Sequence, residues 1–319
     1  TVRIFTGAPL PEGADCVIIA EDTAPAPAPA GDGEAVRLLV AATAGAHVRP
    51  AGLDFVAGAE LLPRGTGLSP RAIALAAAGD HARLPVVPRP RVAILSTGDE
   101  LTLPGTARRP QDIVAATGPA LAAATALWGG TSLDLGIVPD RRDALVRTLK
   151  DAATRADLLV TLGGASVGAH DLVRDALVEA GGRLAFWKIA MRPGKPLLYG
   201  DLDGKPLLGL PGNPVSALIC ALLFLRPAIA RLAGRPPLPL PRIEARLTCP
   251  LPANGPRADY MRARLGPGED GPQVTPFEVQ DSSMLAPLAV AGALAIRPPH
   301  DPARTAGERL AVIPLDGLL

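Results

Sequence analysis

The sequence predicts a multidomain α/β protein in which a central parallel-sheet domain is flanked by smaller β-rich segments. Strand-like and helix-like segments alternate between residues 91 and 233, whereas short apolar runs broken by Gly and Pro occupy both ends of the chain. The length of 319 residues also exceeds that of one ordinary domain. Strands that alternate with helices imply a parallel sheet with right-handed crossovers.

The central elements follow one another at short intervals. We expect Thr117 to cap the first helix of this region. The predicted strands are 91–95, 133–138, 158–162, a run around Phe186, and 206–210. The predicted helices are 117–128, 141–154, 172–180 and a long apolar helix over 214–233.

The flanking segments carry weaker patterns. Residues 1–55 contain apolar runs at 16–20 and 36–40, which predict a small β-rich unit. Ser69 as N-cap and Pro70 at the first helical position predict a helix ending at Gly79. After a Pro-rich linker at 235–241, short strands and turns predict a small β-barrel or sandwich.

Composition excludes several classes of protein. Lys+Arg 32 against Asp+Glu 31 gives a net charge of +1, and no basic run indicates nucleic-acid binding. Cys16, Cys220 and Cys249 lie far apart, which argues against disulfides or zinc and favours a reducing cytoplasm. The apolar run 215–225 is too short for a membrane span, and no signal peptide is visible. Because the chain begins with Thr1 rather than Met, we expect it to be a fragment.

Two strand ends carry acidic residues, and ligands of parallel sheets bind beyond such ends. Ser-Thr-Gly-Asp-Glu at 96–100 follows the first strand, and its Glu100 is the favoured pocket carboxylate; an ordinary polar turn is the alternative. Asp140 follows the second strand and faces the same edge.

A glycine-rich segment, Gly-Gly-Ala-Ser-Val-Gly at 163–168, follows the third strand. Gly163 and Gly164 would let the backbone approach a ligand, and exposed N–H groups near Ser166 would attract anions. No lysine follows, so this is not a Walker A loop. Asp171, next along the chain, has two open interpretations, a pocket carboxylate or a helix N-cap.

A cationic loop and a helix start complete a predicted phosphate cradle. Lys188, Arg192 and Lys195 lie within eight residues on a loop stiffened by Pro and Gly, although a solvated charged loop remains an alternative. Pro-Gly-Asn-Pro-Val-Ser at 211–216 opens the long helix with Asn213 as cap and directs its positive dipole end to the site. Carboxylates beside this cradle would repel an anion unless a divalent cation bridged them, so we expect Mg²⁺.

These segments together resemble the molybdopterin molybdenumtransferase family, to which the C-terminal half of gephyrin also belongs. The resemblance rests on Thr-Gly-Ala at 6–8, the two segments at 96–101 and 163–168, Phe-Trp-Lys at 186–188, Pro-Gly-Lys-Pro at 193–196, and Gly-Leu-Pro-Gly-Asn-Pro-Val-Ser at 209–216.

The resemblance implies four domains and a reaction. The domains are a truncated β-rich lid at 1–55, the rest of an elongated dimerisation domain at 56–88, the α/β molybdopterin-binding domain at 89–235 and a β-barrel at 236–319. The implied reaction is Mg²⁺-dependent insertion of molybdate into adenylylated molybdopterin, giving molybdenum cofactor and AMP. Implied partners are these two substrates, a second copy of the chain with shared active sites, and the molybdopterin adenylyltransferase.

Functional residues carry over by position from the family. The resemblance implies catalytic roles for Glu100, Asp140, Asp171 and Lys188, of which the three carboxylates also bind metal. It implies ligand-binding roles for Thr6, Asp54, Gly163, Gly164, Ser166, Arg192, Lys195, Pro211, Asn213, Ser216 and Ser282.

Two departures from the family pattern leave alternatives open. Ala-Ala-Thr at 115–117 replaces a triplet that usually reads Asp-Ser-Asn, and the lid's Asp-Gly-Tyr motif is absent. The first departure mildly favours a non-catalytic carrier or scaffold, whereas the acidic trio favours an enzyme. A stand-alone adenylyltransferase, a third alternative, would lack the flanking domains.

Overall fold

The computed structural model describes residues 1–27, 35–164, 172–236 and 239–319. The chain divides into two compact units, Thr1–Ala82 and Arg83–Leu319.

The first unit contains little regular structure among its described residues. Strands β1 (Thr23–Ala26) and β2 (Ala35–Leu38) pair antiparallel. The expected strand at 16–20 is wrong, because this stretch runs into a 3₁₀ turn over Ala20–Asp22. Helix α1 (Pro70–Ala78) is confirmed, and the Ser69 hydroxyl accepts a hydrogen bond from the Ala72 N–H, as a good N-cap does.

The second unit begins with the predicted alternation of strands and helices. Its elements are β3 (Arg91–Thr97), β4 (Leu101–Thr102), β5 (Ile113–Val114), α2 (Thr117–Leu127), β6 (Thr131–Val138), α3 (Arg142–Arg155), β7 (Leu158–Leu162), α4 (Leu172–Glu179), β8 (Arg183–Trp187), β9 (Met191–Arg192), β10 (Leu198–Leu202) and β11 (Lys205–Leu210).

Six of these strands form the central sheet in the order β6-β3-β7-β11-β10-β8. Pairings β6–β3, β3–β7 and β7–β11 are parallel, which confirms the predicted parallel sheet for four strands. β10 and β8 add to the edge in antiparallel fashion, so the sheet as a whole is mixed. The reason is local: β10 and β11 are joined by a tight turn at Asp203–Gly204, which reverses the chain direction.

Both faces of the sheet are covered, as a parallel sheet requires. Val92 and Ile94 of β3 pack with Leu121 of α2 on one face. Ala93 and Leu95, which alternate with them, pack with α3 and α4 on the other face. The residues that follow the strand ends, among them Asp99, Glu100 and Asp140, remain exposed.

The long apolar helix consists of α5 (Pro214–Cys220), a π-helical turn over Ala221–Leu225 and α6 (Arg226–Leu232). The wide turn precedes Pro227, which has no N–H to donate to the preceding turn. In the described chain this 19-residue stretch is the one helix long and apolar enough to cross a membrane by length and composition, although the apolar run 215–225 within it is short. Most of its apolar side chains are buried against the sheet and α2, which is typical of a core helix.

The C-terminal segment forms a closed barrel, which decides between the two architectures left open by the sequence. Strands β12 (Ile243–Leu247), β13 (Ala258–Gly266), β14 (Gln273–Pro276), β15 (Ala293–Arg297) and β16 (Arg309–Pro314) pair in the order β14-β12-β16-β15-β13, and β13 also pairs with β14. A short helix α7 (Leu285–Ala289) lies between β14 and β15. Strand β9 adds to β13 from outside the ring, in parallel.

A buried ion cluster stabilises the loop after β15. Arg297 and Asp301 are 2% and 5% exposed and bind each other, and Arg304 Nη2 lies 2.5 Å from Asp301 Oδ1. Arg297 also donates to the carbonyls of Pro252 and Pro302. Every charge in this cluster therefore has a partner, as buried charges require.

Candidate functional site

The site lies where the strand order reverses. From β3 the chain crosses to β6 on one side and then returns to β7 on the other, so the carboxyl ends of β3 and β7 are neighbours from which the connections diverge. Such a switch point leaves a crevice in which ligands of open α/β sheets bind.

Three carboxylates gather at the ends of β3 and β6. The Asp140 N–H donates to Asp99 Oδ1 at 3.1 Å. A Cβ built on Gly98 would lie 2.7 Å from Glu100 Oε1, so the Glu100 carboxylate folds back over this glycine. Partial burial raises the pKa of Asp140, and the negative charges of Asp99 and Glu100 raise this pKa further. Glu100 and Asp99 therefore lie close enough to Asp140 for their charges to act on it.

Gly163 and Gly164 follow β7 in left-handed conformations, with φ of +85° and +67°. A Cβ on Gly163 would lie 2.7 Å from the Thr97 carbonyl oxygen, and one on Gly164 would lie 3.0 Å from the Thr97 hydroxyl. Both positions therefore need glycine for two reasons, backbone conformation and the close approach of β3.

We expect Gly163→Ala to destabilise the fold by about 2–4 kcal/mol, because backbone strain and a backbone clash add together. Gly204→Ala is the matched control, since its φ is +73° and a Cβ there meets nothing within 4 Å. This control should cost only about 1 kcal/mol. Chemical denaturation measures both, and equal losses would contradict the close approach.

The segment after β11 reaches the same place. A Cβ on Gly212 would lie 3.6 Å from Gly163 Cα, so the loops after β7 and β11 are in contact. Pro211 and Ser216 are buried there. The expectation that the Asn213 side chain caps the helix is wrong: Asn213 occupies the N-cap position, but its Nδ2 donates to Ser282 Oγ at 2.8 Å.

Ser282 connects the barrel to this helix start. Its carbonyl accepts from the Val215 N–H at 3.1 Å, so it supplies the cap that Asn213 does not. Arg262, 1% exposed, holds the loop that carries Ser282 by donating to the carbonyls of Met284 and Val279. Gln280 donates back to the Arg262 carbonyl at 2.9 Å. Ser282 therefore lies at the start of the long helix, and its predicted ligand-binding role stays a prediction.

The cationic loop joins the sheet edge to the barrel. Lys188 has a positive φ of 74°, and its Nζ lies 3.7 Å from the ring centroid of Trp187. Lys195 is exposed, and neither lysine pairs with a carboxylate of the described residues. Arg192 differs, because both its Nε and its Nη2 contact Asp259 Oδ2, and this contact raises the pKa of Arg192.

Asp259 is 3% exposed, so Arg192 neutralises a buried charge. The predicted contact of Arg192 with a phosphate stays a prediction, and Asp259 competes with the phosphate for the guanidinium group.

The remaining predicted residues divide into two groups. Ser166 and Asp171 lie outside the described residues. Thr6 and Asp54 are exposed in the first unit, where Thr6 is the second residue of a turn closed by a hydrogen bond from the Ala8 N–H to the Phe5 carbonyl. Within the described ranges, no three His, Cys, Asp or Glu side chains converge as metal ligands, so a set made from Glu100, Asp140 and Asp171 stays a prediction.

The unusual Ala-Ala-Thr segment leads directly into α2. Ala116 occupies the N-cap position, and no side chain caps the helix; the expected cap by Thr117 is wrong, because Thr117 already lies within α2. A Cβ built on Gly118, the next residue of the helix, would lie 3.7 Å from the Ser96 hydroxyl. The start of α2 therefore borders the site without adding a polar group from residues 115 and 116.

Sequence reasoning missed three contributors to this region, Asp99, Asp259 and Arg262. Asp99 lay within the polar pentad, where Glu100 was favoured. Asp259 and Arg262 share one barrel strand three residues apart, and a charged pair within an apolar strand was an available signal.

Comparison with known families covers nearly the whole chain. The family described as "Probable molybdopterin binding domain" matches residues 93–231. "MoeA N-terminal region (domain I and II)" matches residues 1–79, and "MoeA C-terminal region (domain IV)" matches residues 244–315.

Individual relatives agree with these matches. "Molybdopterin molybdenumtransferase 2" of Mycobacterium tuberculosis is 38% identical over 268 residues, which are 82% of this chain and 65% of the relative. The molybdopterin molybdenumtransferase of Haemophilus influenzae is 30% identical over 100% of this chain and 78% of its own. The crystal structure of a molybdopterin biosynthesis moeA protein from Pyrococcus horikosii superposes with a TM-score of 0.79 at 29% identity, covering 96% of this chain and 73% of that one. The chain thus spans somewhat less than two thirds of the Mycobacterium relative.

Proposed function

Because the chain belongs to the molybdopterin molybdenumtransferase family, we propose that it inserts molybdate into adenylylated molybdopterin and releases AMP. The supporting observation is that the Gly163–Gly164 turn packs against Thr97 at the end of β3, directly before Asp99 and Glu100. Backbone that approaches a ligand closely and a set of hard oxygen donors are the two features that a phosphorylated substrate with a bridging cation needs.

The proposed division of labour follows from the chemistry of each group. The Gly163–Gly164 turn lets the backbone come close to a phosphate, and the positive dipole end of the long helix favours its negative charge. The exposed Lys195 and the Lys188 ammonium neutralise phosphate charge as the substrate binds. Pro211 and Ser216 shape the wall of the crevice, and Asn213 with Ser282 keeps its barrel side in place.

Magnesium is part of the proposal. Glu100 and Asp140 supply the oxygen ligands that Mg²⁺ prefers, and the raised pKa of Asp140 indicates negative charge that a cation would compensate. Asp171 is the third proposed ligand. When bound, Mg²⁺ would polarise the phosphoanhydride linked to AMP.

The wider assembly is also proposed rather than observed. We propose a cytoplasmic homodimer in which Thr6 and Asp54 of one subunit complete the site of the other, and in which the adenylyltransferase delivers the substrate. The four-domain division at residues 55, 88 and 235 belongs to the same proposal.

The test is AMP release from purified adenylylated molybdopterin with molybdate and Mg²⁺. We expect AMP and molybdenum cofactor to form in equal amounts, and AMP release to stop when molybdate is omitted. Tight binding of molybdopterin without AMP release would favour the alternative function, a non-catalytic carrier. Release of AMP without any cofactor formed would contradict both functions.

A further inference from the structure

The Trp187 indole lies beside the cationic loop, and the family resemblance assigns no role to this residue. One side of the residue packs on the apolar core formed by α3, α4 and the sheet. Its ring lies under two cations: Lys188 Nζ is 3.7 Å and Arg174 Cζ is 5.2 Å from the ring centroid. Such distances fall within the range of cation–π attraction, for which indole is the best side chain.

The backbone explains why Lys188 reaches this ring. Lys188 has a φ of +74°, a left-handed conformation that is uncommon for lysine. The Lys188 N–H donates to the Leu197 carbonyl at 2.9 Å, and the Ile189 N–H donates to the Lys195 carbonyl at 2.9 Å. These bonds close the cationic loop and fix the turn, so the Lys188 side chain lies over the residue that precedes it.

The polar atom of the indole makes no contribution to this arrangement. The Trp187 Nε1–H is buried and has no acceptor among the described residues, which costs about 1–3 kcal/mol. Phenylalanine or leucine would avoid that cost. The face of the ring is therefore the part of the residue that the site uses.

We propose that Trp187 is a positioning residue, which holds the Lys188 ammonium at the mouth of the cationic loop for a phosphate group of the ligand. This inference rests on the proposed function only in that Lys188 contacts the ligand's phosphates. Trp187 itself does not touch the ligand and acts through Lys188.

The geometry is tested without any ligand by NMR. The chain has four lysines, Lys150, Lys188, Lys195 and Lys205, so their ε-methylene signals can be assigned by single substitutions. We expect the Lys188 signal to be shifted upfield of the other three by the indole ring current and to rejoin them in Trp187→Leu. Phe186→Leu, the matched change at the adjacent aromatic, should leave the Lys188 signal in place. A Lys188 signal that coincides with the others in the unmodified chain would overturn the proposal.

The consequence for binding is tested with inorganic pyrophosphate by titration calorimetry. We expect Trp187→Leu to weaken binding about two- to fivefold, the scale of an exposed cation–π contact, and Trp187→Phe to weaken it less. In a Lys188→Met background the Trp187→Leu effect should vanish. An equal effect in both backgrounds would show a merely structural role and overturn the proposal.

The two hypotheses fail in different ways. If Lys188→Met leaves pyrophosphate binding unchanged, or the chain does not bind it, the phosphate role of Lys188 in the proposed function is wrong, and with it the purpose assigned to Trp187. If Lys188→Met weakens binding while Trp187→Leu does not, the proposed function stands and the positioning role is overturned.

Discussion

Asp140→Asn should slow AMP release at least about a hundredfold and yet raise the melting temperature of the protein. AMP release slows because the substitution removes a charged group that the reaction needs. Removal of a key electrostatic stabiliser slows catalysis on this scale. The gain follows from the raised pKa of Asp140: near neutral pH its charge is held partly buried beside Asp99 and Glu100, and the amide relieves that repulsion.

Asp134→Asn is the matched control for Asp140→Asn. Asp134 lies on β6, the strand that precedes Asp140, and its Oδ1 accepts from the Gly136 N–H at 2.8 Å, a bond that asparagine can keep. We expect both activity and stability of this variant to stay near those of the unmodified chain. Thermal unfolding should be followed in chelator, since bound Mg²⁺ would mask the repulsion. A lower melting temperature for Asp140→Asn would show that this carboxylate is structural.

Asp301→Ala should destabilise the protein by about 3–5 kcal/mol, the largest stability change we expect from one substitution in the barrel. It leaves the 2%-exposed Arg297 without its carboxylate and frees Arg304 from one of its two acidic partners. Asp270→Ala breaks an exposed ion pair with Arg246 in the same barrel and should cost less than about 1 kcal/mol. Urea denaturation compares the two, and similar losses would contradict the burial argument.

The same cluster predicts a pH dependence. The hydrogen bond from Arg304, aided by Arg297, lowers the pKa of Asp301 in the folded protein. A lowered pKa means that the unfolded chain binds the proton more readily, so the stabilisation is complete above the ordinary aspartate pKa of about 4 and is lost as pH falls below it. We expect the stability difference between the unmodified chain and Asp301→Ala to be constant from pH 8 to 5 and to shrink below pH 4.

The central sheet could be predicted because its signals are local. Apolar runs ending in Gly or Pro marked β3, β6 and β7, and Ser69 marked the start of α1 through ordinary cap chemistry. The antiparallel edge strands could not be told from parallel ones, since direction depends on the length of the connection rather than on strand composition.

The candidate site could likewise be predicted where neighbouring residues determine it, and not where residues distant in sequence do. The carboxylates and glycines follow strand ends in the sequence, so topology alone brought them together. The partners of Arg192 and Asn213 could not be read from the sequence, because Asp259 and Ser282 lie 67 and 69 residues away. In both cases a distant residue of the barrel took the hydrogen bond that local reasoning had assigned to a ligand or a helix end.

The addition of β9 to the outside of the barrel has a consequence for how the second unit loses its structure. The strand that pairs with β13 belongs to the same loop that carries Lys188 and Lys195, and Ser282 of the barrel segment satisfies the first free N–H of the long helix. Unfolding of the barrel would remove β13, the strand with which β9 pairs, and would expose that end of the helix to water. Calorimetry of Arg83–Leu319 should therefore show one heat-absorption peak rather than two, because neither half can retain its ligand-facing edge after the other has gone.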